Sequence, residues 1–207
     1  LDNYQTVFGD EFKVIRIPMP ADDGSYPDDY GDYQTHTNSL IFNELILVPI
    51  YNGSTDSLAL EIYREAMPGY EVVGIDCEGI ISLSGAIHCI THELGAESPL
   101  LISHQHLTSA TAQNENYQVT AYLEHRSGIE AANIMYRTDS ASDFISLAMA
   151  QDADSAELWH GTFPFYTKDS MTVQYYIQAE ANNGKTQVRP MTAPEGFWTY
   201  NTADSVN

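Results

Sequence analysis

The chain has 207 residues, 43% of them hydrophobic, enough for one large domain or two ordinary ones and too apolar for wholesale disorder. Its 29 Asp+Glu against 8 Lys+Arg give a net charge of −21, a surface that repels nucleic acid and anionic membranes and favours solubility or cationic ligands. No apolar run approaches the roughly 18 residues a membrane helix needs and no signal peptide is recognisable, while a start at Leu1 in mid-pattern suits a processed or truncated piece of something longer.

Phe12-Lys13-Val14-Ile15-Arg16-Ile17 alternates with period two before Pro18 and predicts a strand. An Asp- and Pro-rich loop follows, with its acidic residues over 22–32; it lacks the calcium-loop order of an EF-hand and reads as a solvated loop. The runs "NSLIF" and "LILVPIY", separated by Asn43-Glu44, predict a hairpin. Residues 55–67 predict a helix with Thr55 or Asp56 as N-cap, Leu58, Ile62 and Met67 roughly on one face, and Pro68-Gly69 as its stop. "EVVGIDC" then returns as a buried strand, which completes about one repeat of an α/β unit.

The texture changes near Pro99, which places a domain boundary between residues 98 and 99. Beyond it, eight strand-like runs lie between polar turns: "LLISHQHL", "YQVTAYLEH", "ANIMYRTD", "FISLAMAQ", "LWHGTFPFY", "MTVQYYIQAEA", "TQVRPMTAP" and "FWTYNT". That density predicts an all-β immunoglobulin-like sandwich over 99–207, without the Cys…Cys pair of antibody domains. A hairpin is expected to turn at Asn182-Asn183-Gly184, with Tyr175 and Tyr176 as the aromatic pair of its core. Residues 1–98 carry a net charge of −14 and residues 99–207 carry −7, so acidity concentrates in the α/β part.

The stretch "SGAIHCITHE", residues 84–93, sets one of two cysteines between two histidines. Cys77, among bulky neighbours, reads as a core filler; Cys89, after a small-residue turn, has the access a nucleophilic thiol needs. If residues 86–90 are extended, His88 points away from Cys89, and His92 reaches the same side only if the chain turns helical after Cys89. Local sequence therefore leaves a nucleophile without a base, and both histidines read as structural. His104 and His106 have the spacing of two ligands on one strand face, but no third ligand is in view and no metal site is assigned. Two cysteines do not make a disulfide framework, so they do not settle the compartment.

"THTNSLIFNELILVPIY", "ALEIYREAMPGYEVVGIDC" and "GAIHCITHE" together resemble the C-terminal part of the Porphyromonas-type peptidylarginine deiminase and agmatine deiminase family. The resemblance covers roughly residues 1–98 and implies part of a pentein, an α/β propeller around a polar site. The following sandwich is similar to the immunoglobulin-like domain of secreted peptidylarginine deiminases. Carried over by motif, the nucleophile falls on Cys89 and an active-site asparagine on Asn38. The family's general-base histidine and guanidinium-binding acids belong to segments upstream of Leu1.

The resemblance thus implies a secreted or surface bacterial hydrolase that deiminates arginine side chains through a covalent thiouronium and needs no cofactor. Its substrate would be a peptide or protein arginine, and its partner the N-terminal part of the same enzyme. Agmatine is the alternative substrate, and a non-catalytic surface binding module is the rival of another class. In that rival Cys89 is packing and the sandwich is the working part.

Overall fold

A computed structural model describes residues 4–5, 11–21, 33–83, 85–108, 117–164 and 171–202, and the chain divides into two compact units, 1–95 and 96–207. The acidic loop at 22–32 and Ser84 of the cysteine motif lie outside the described residues. No described helix is long and apolar enough to cross a membrane.

The first unit is a three-stranded sheet with one helix. Strands β1 (Leu40–Phe42) and β2 (Leu45–Ile50) form the expected antiparallel hairpin, turning where Asn43 takes φ 53°. Helix α1 (Asp56–Ala66) then crosses over to β3 (Glu71–Asp76), which pairs with β2 in parallel, giving a βαβ unit. The helix ends where Gly69 at φ 84° takes a conformation that a Cβ would strain.

The helix docks through Asp56, Ala59 and Tyr63, with Leu60 and Met67 beside them, and Leu58 faces solvent. The expected face through Leu58 and Ile62 is therefore displaced, because the i, i+3, i+4, i+7 stripe facing the sheet runs through the smaller Ala59. Thr55 stands at the N-cap but makes no side-chain cap bond. The Asp56 carboxylate instead accepts from the Tyr51 and Gly53 amides at 3.2 and 3.1 Å, closing the loop that precedes the helix.

Alternation along β2 divides the unit into two cores. Ile46 and Val48 meet Tyr63, Leu60 and Met67 of the helix. Leu47 and Tyr51 face the other way and pack with Cys77, Ile81, Ala86 and Ile87 from the segment after β3. Two expectations fail here. Residues 12–17 form no strand, and Phe12, Val14 and Ile15 are exposed. Strand β3 is half-buried to exposed rather than buried, since it is an edge with a described neighbour only at β2.

The second unit is two antiparallel sheets over one core. One contains β4 (Leu101–Ser103), β5 (Gln118–Glu124), β9 (Leu158–Thr162) and β8 (Ala150–Gln151), in the order β4-β5-β9-β8. The other has the order β11-β10-β6-β7, built from β6 (Ile129–Arg137), β7 (Ile145–Ala148), β10 (Thr172–Ala181) and β11 (Thr186–Arg189). Strand β12 (Trp198–Asn201) shares one edge of β10 with β11.

All eight expected runs contain strands. "FISLAMAQ" contains two, because the chain changes sheets at buried Met149. Every second residue of β5, β6 and β10 points inward, for example Val119, Ala121 and Leu123 against Ile134, Tyr175 and Ile177. The sheets approach closely at Gly161, where an added Cβ would meet Ile134 Cδ1 at 2.5 Å. The hairpin turns at Asn182-Asn183-Gly184 with Gly184 at φ 81°. Tyr175 is in the core, but Tyr176 lies on the opposite face against Phe144, as adjacent strand residues must.

Candidate active site

Strand directions in the first unit bring distant residues to one place. β2 and β3 run in parallel and finish at the same end of the sheet. β1 runs the other way, with Leu40 opposite Leu47, so the residues before β1 reach that end as well. Open α/β sheets place their ligand sites outside the carboxyl ends of parallel strands, and both residues singled out by motif, Asn38 and Cys89, are there.

The cysteine segment is not extended. His88–Ile90 is a single 3-10 turn, so the strand alternation considered for His88 does not apply. Ala86 and Ile87 dock the turn in the core, and Asn38 supplies its hydrogen bonds to the rest of the unit. The Asn38 carbonyl accepts from the His88 amide at 3.2 Å, and Asn38 Oδ1 accepts from the Ala86 and Cys89 amides at 3.1 and 3.4 Å. Its Nδ2 donates to Cys89 Sγ at 3.0 Å. One side chain thus bonds both the loop and the sulfur it carries. Gly85 is required beside it, since a Cβ there would stand 2.9 Å from Sγ.

Asn38 is itself mounted on a buried network that sequence reading missed. His36 is fully buried; Nδ1 donates to the Pro49 carbonyl at 2.9 Å, and Nε2 lies 3.1 Å from the Thr55 hydroxyl and 3.8 Å from the Asp56 carboxylate. The Tyr51 and Tyr63 hydroxyls donate to the Thr35 and His36 carbonyls, both at 3.3 Å, and Ser39 Oγ lies 2.8 Å from the Tyr63 hydroxyl. Helix α1 and the end of β2 therefore anchor the turn before β1 from both sides. The only sequence signal for this was the polar string "THTN" ahead of an apolar strand.

Cys89 is exposed, and the rings of His88 and His92 are exposed and hydrogen-bonded to no described residue. Cys77 is 2% exposed, and burial, followed by the charge of Asp76, pushes its thiol pKa up. In the second unit His104 donates through Nδ1 to the Thr120 carbonyl at 2.7 Å and faces the Tyr175 hydroxyl through Nε2 at 2.9 Å. Both nitrogens are occupied, so His104 is a packing histidine that cannot ligate alongside His106. Among the described residues no three His, Cys, Asp or Glu side chains converge as metal ligands.

What the first unit offers chemically is an accessible thiol, oriented by an amide, at the carboxyl ends of parallel strands. A model of the Porphyromonas-type peptidyl-arginine deiminase family matches residues 1–94. Residues 1–94 are thus similar to that family.

Proteins named "Putative agmatine deiminase" from Lactococcus lactis and Yersinia pestis are each 36% identical, over 100 and 111 residues. These stretches cover 41% and 46% of this chain but 27% and 30% of the relatives. A Vibrio parahaemolyticus protein of the same name is 26% identical over 108 residues, 29% of its length. The chain thus spans less than a third of these deiminase-family relatives.

Two solved structures are similar to part of the chain. One, a "putative peptidyl-arginine deiminase", is 29% identical over 47% of this chain and 28% of its own, with TM-score 0.40. The other, the "Putative Arginine Deiminase from Porphyromonas gingivalis", is 30% identical over 43% and 26%, with TM-score 0.38. All the shares are those of a unit shorter than the proteins it resembles.

Proposed function

We propose that the first unit is the C-terminal part of a pentein deiminase and that Cys89 is its nucleophile. The observation that carries this reading is the Asn38 amide on the Cys89 sulfur at 3.0 Å, within the segment that matches the family. The reaction is deimination of a guanidino group. The Cys89 thiolate attacks the guanidinium carbon of an arginine side chain and forms a C–S bond. The tetrahedral adduct breaks one C–N bond, and the departing nitrogen takes a proton from a general acid and leaves as ammonia. Water then attacks the S-alkylthiouronium carbon, its proton goes to the same group acting as base, and the thiolate leaves. Citrulline and ammonia are the products, with no oxidant or cofactor consumed. Asn38 keeps the sulfur aimed through this sequence, and the unit's acidity suits a cationic substrate.

The base and the acids that grip the guanidinium are supplied, in this proposal, by a segment outside this chain. Three findings support that. No histidine ring is hydrogen-bonded near Cys89 among the described residues. The chain spans less than a third of its relatives. Large hydrophobics stand exposed across the first unit, among them Phe42 at 57%, Leu83 at 80%, Ile90 at 71% and Leu94 at 97%. In the second unit only Leu101 and Ile145 are so exposed among the described residues. Apolar surface of that extent marks a face built to be covered.

The second unit is proposed to be an immunoglobulin-like sandwich appended to the catalytic part, as in a secreted bacterial enzyme acting on peptide arginine. The relatives' name favours agmatine as the second reading. The test is citrulline formation from a blocked arginine ester, a peptide and agmatine, by the 207-residue chain alone and by a longer chain that includes the preceding segment. The short chain is expected to be inactive and the longer one active on peptide arginine. Turnover by the short chain refutes the incomplete site; a longer chain that forms no citrulline, or keeps it after Cys89→Ser, refutes the deiminase reading.

A further inference from the structure

The second unit carries a cationic groove that the deiminase reading does not use. It has a volume of about 560 Å³, the size of a short-peptide or small-ligand site. Lys185, Gln187 and Arg189 line it from β11 and the turn before it, Glu124 and Arg126 from the end of β5, and Leu101 from β4. Both β4 and β11 are edge strands, paired among the described residues only with β5 and β10. The groove therefore lies where the two sheets' open margins approach each other.

The charge distribution there runs against the rest of the molecule. The chain has 8 cations against 29 carboxylates, yet three of those cations share this one groove. Arg126, Lys185 and Arg189 make no ion pair with any described carboxylate, although Glu124 lines the same wall. Lys185 is used locally, donating to the Ser98 carbonyl at 2.9 Å. Arg189 is not: its Nη1 is shut off from solvent and has no hydrogen-bond acceptor. A sealed guanidinium nitrogen without an acceptor is costly. Arg189 as a whole is half-buried and lines the groove, so its guanidinium is the cation placed to meet a carboxylate that enters there.

Spacing indicates the acceptor's form. Lys185, Gln187 and Arg189 recur at every second residue, so one face of the extended chain presents donors about 7 Å apart. Next to them are exposed Leu101 and buried Leu100, which give the groove an apolar floor. The free edge of β11 presents unpaired backbone groups of the kind that accept an added strand. We propose that this groove binds an extended peptide segment in which acidic residues alternate with aliphatic ones, its carboxylates on Arg189 and Arg126 and its backbone along β11. The chain's net charge of −21 repels polyanions, so the ligand carries a pair of carboxylates rather than a run of them.

The test is fluorescence anisotropy with the full chain and a labelled Val-Glu-Val-Glu-Val amide, beside the same peptide with Gln or Lys in place of Glu. The acidic peptide is expected to bind and the other two not. Arg126→Gln, an exposed change that leaves the fold intact, and Arg189→Gln should each weaken binding about tenfold. Amide shifts in NMR spectra should map to 186–189. Absence of acidic-peptide binding at millimolar concentration, equal binding of the Gln peptide, or indifference to Arg126→Gln would overturn the proposal. Inorganic phosphate displacing the peptide at equal concentration would also overturn it, by making the groove a simple anion site.

Discussion

Asn38→Ala is the most informative single change in the first unit, because Asn38 supplies the cysteine loop's hydrogen bonds to the rest of the unit. The substitution removes three side-chain hydrogen bonds: to the Ala86 amide at 3.1 Å, the Cys89 amide at 3.4 Å and Cys89 Sγ at 3.0 Å. Only the backbone bond from the His88 amide to the Asn38 carbonyl survives. At about 1 kcal/mol each, and less where water competes at the exposed cysteine, the loss is about 1–3 kcal/mol. It falls on the loop, since neither core of the unit contains Asn38. Amide exchange at Ala86 and Cys89 should accelerate about tenfold to a hundredfold at 1.4 kcal/mol per decade, while the β2 amides are unchanged. Hydrogen exchange read residue by residue is the assay. Asn38→Asp sharpens it, since it keeps the Oδ1 acceptor for Ala86 but turns an acceptor towards the sulfur. Ala86 should then stay protected while the Cys89 side chain changes rotamer. If Asn38→Ala leaves both amides as slow as before, the loop is held by something else and Asn38 does not position the thiol.

Two further outcomes are expected. Iodoacetamide should modify Cys89 and spare Cys77 in the folded chain, because one thiol is exposed and the other is 2% exposed with its pKa raised by burial. Peptide mapping reads this, and equal labelling of both would refute the assignment of access. In the second unit, burial lowers the His104 pKa from 6.5 to about 4. The unfolded chain then takes up a proton first as pH falls, so the contribution of neutral His104 is whole above pH 6.5 and is lost as pH falls to about 4, at most about 3 kcal/mol. Both tryptophans, Trp159 and Trp198, are in this unit, so urea unfolding followed by their fluorescence reports it. His104→Gln should flatten the pH dependence relative to the parent, and parallel curves would refute the role.

The second unit was legible because its rules are local. Period-two alternation and turn residues gave all eight strand-bearing runs, and they failed only where a strand changes sheets at Met149, which alternation cannot register. The first unit was legible in its hairpin, helix and crossover, all set by neighbours in sequence. It was not legible at 12–17, where the apolar alternation is present but no described strand pairs with it. It was not legible in the burial of β3 either, which depends on what covers an edge. Within the site, Cys89 and Asn38 were found through motif resemblance rather than through chemistry read from spacing. They stand 51 positions apart, and only the parallel pairing of β2 with β3 brings them together. His36 escaped because a histidine ahead of a strand carries no mark of burial until the helix and β2 close over it.

The contrast between the units bears on what each needs. In the second, two sheets cover each other's inner faces, and the core from Val119 to Tyr200 is continuous. In the first, α1 covers one face of the sheet, and the 80–90 segment covers part of the other through Ile81, Ala86 and Ile87. That second contact is what carries Cys89, so the Cys89 loop is also the lid of a small core. The arrangement makes site geometry sensitive to packing: opening the contact at Ile87 would move a sulfur that Asn38 can hold only if the loop stays docked. Asn38 in turn rests on His36, whose ring is fixed at both nitrogens between Pro49 and Thr55. A chain of hydrogen-bonded groups thus runs from the helix start to the sulfur. Under the proposed function, the orientation of the thiol comes from within this unit, while proton transfer and a grip on the guanidinium come from a segment outside it.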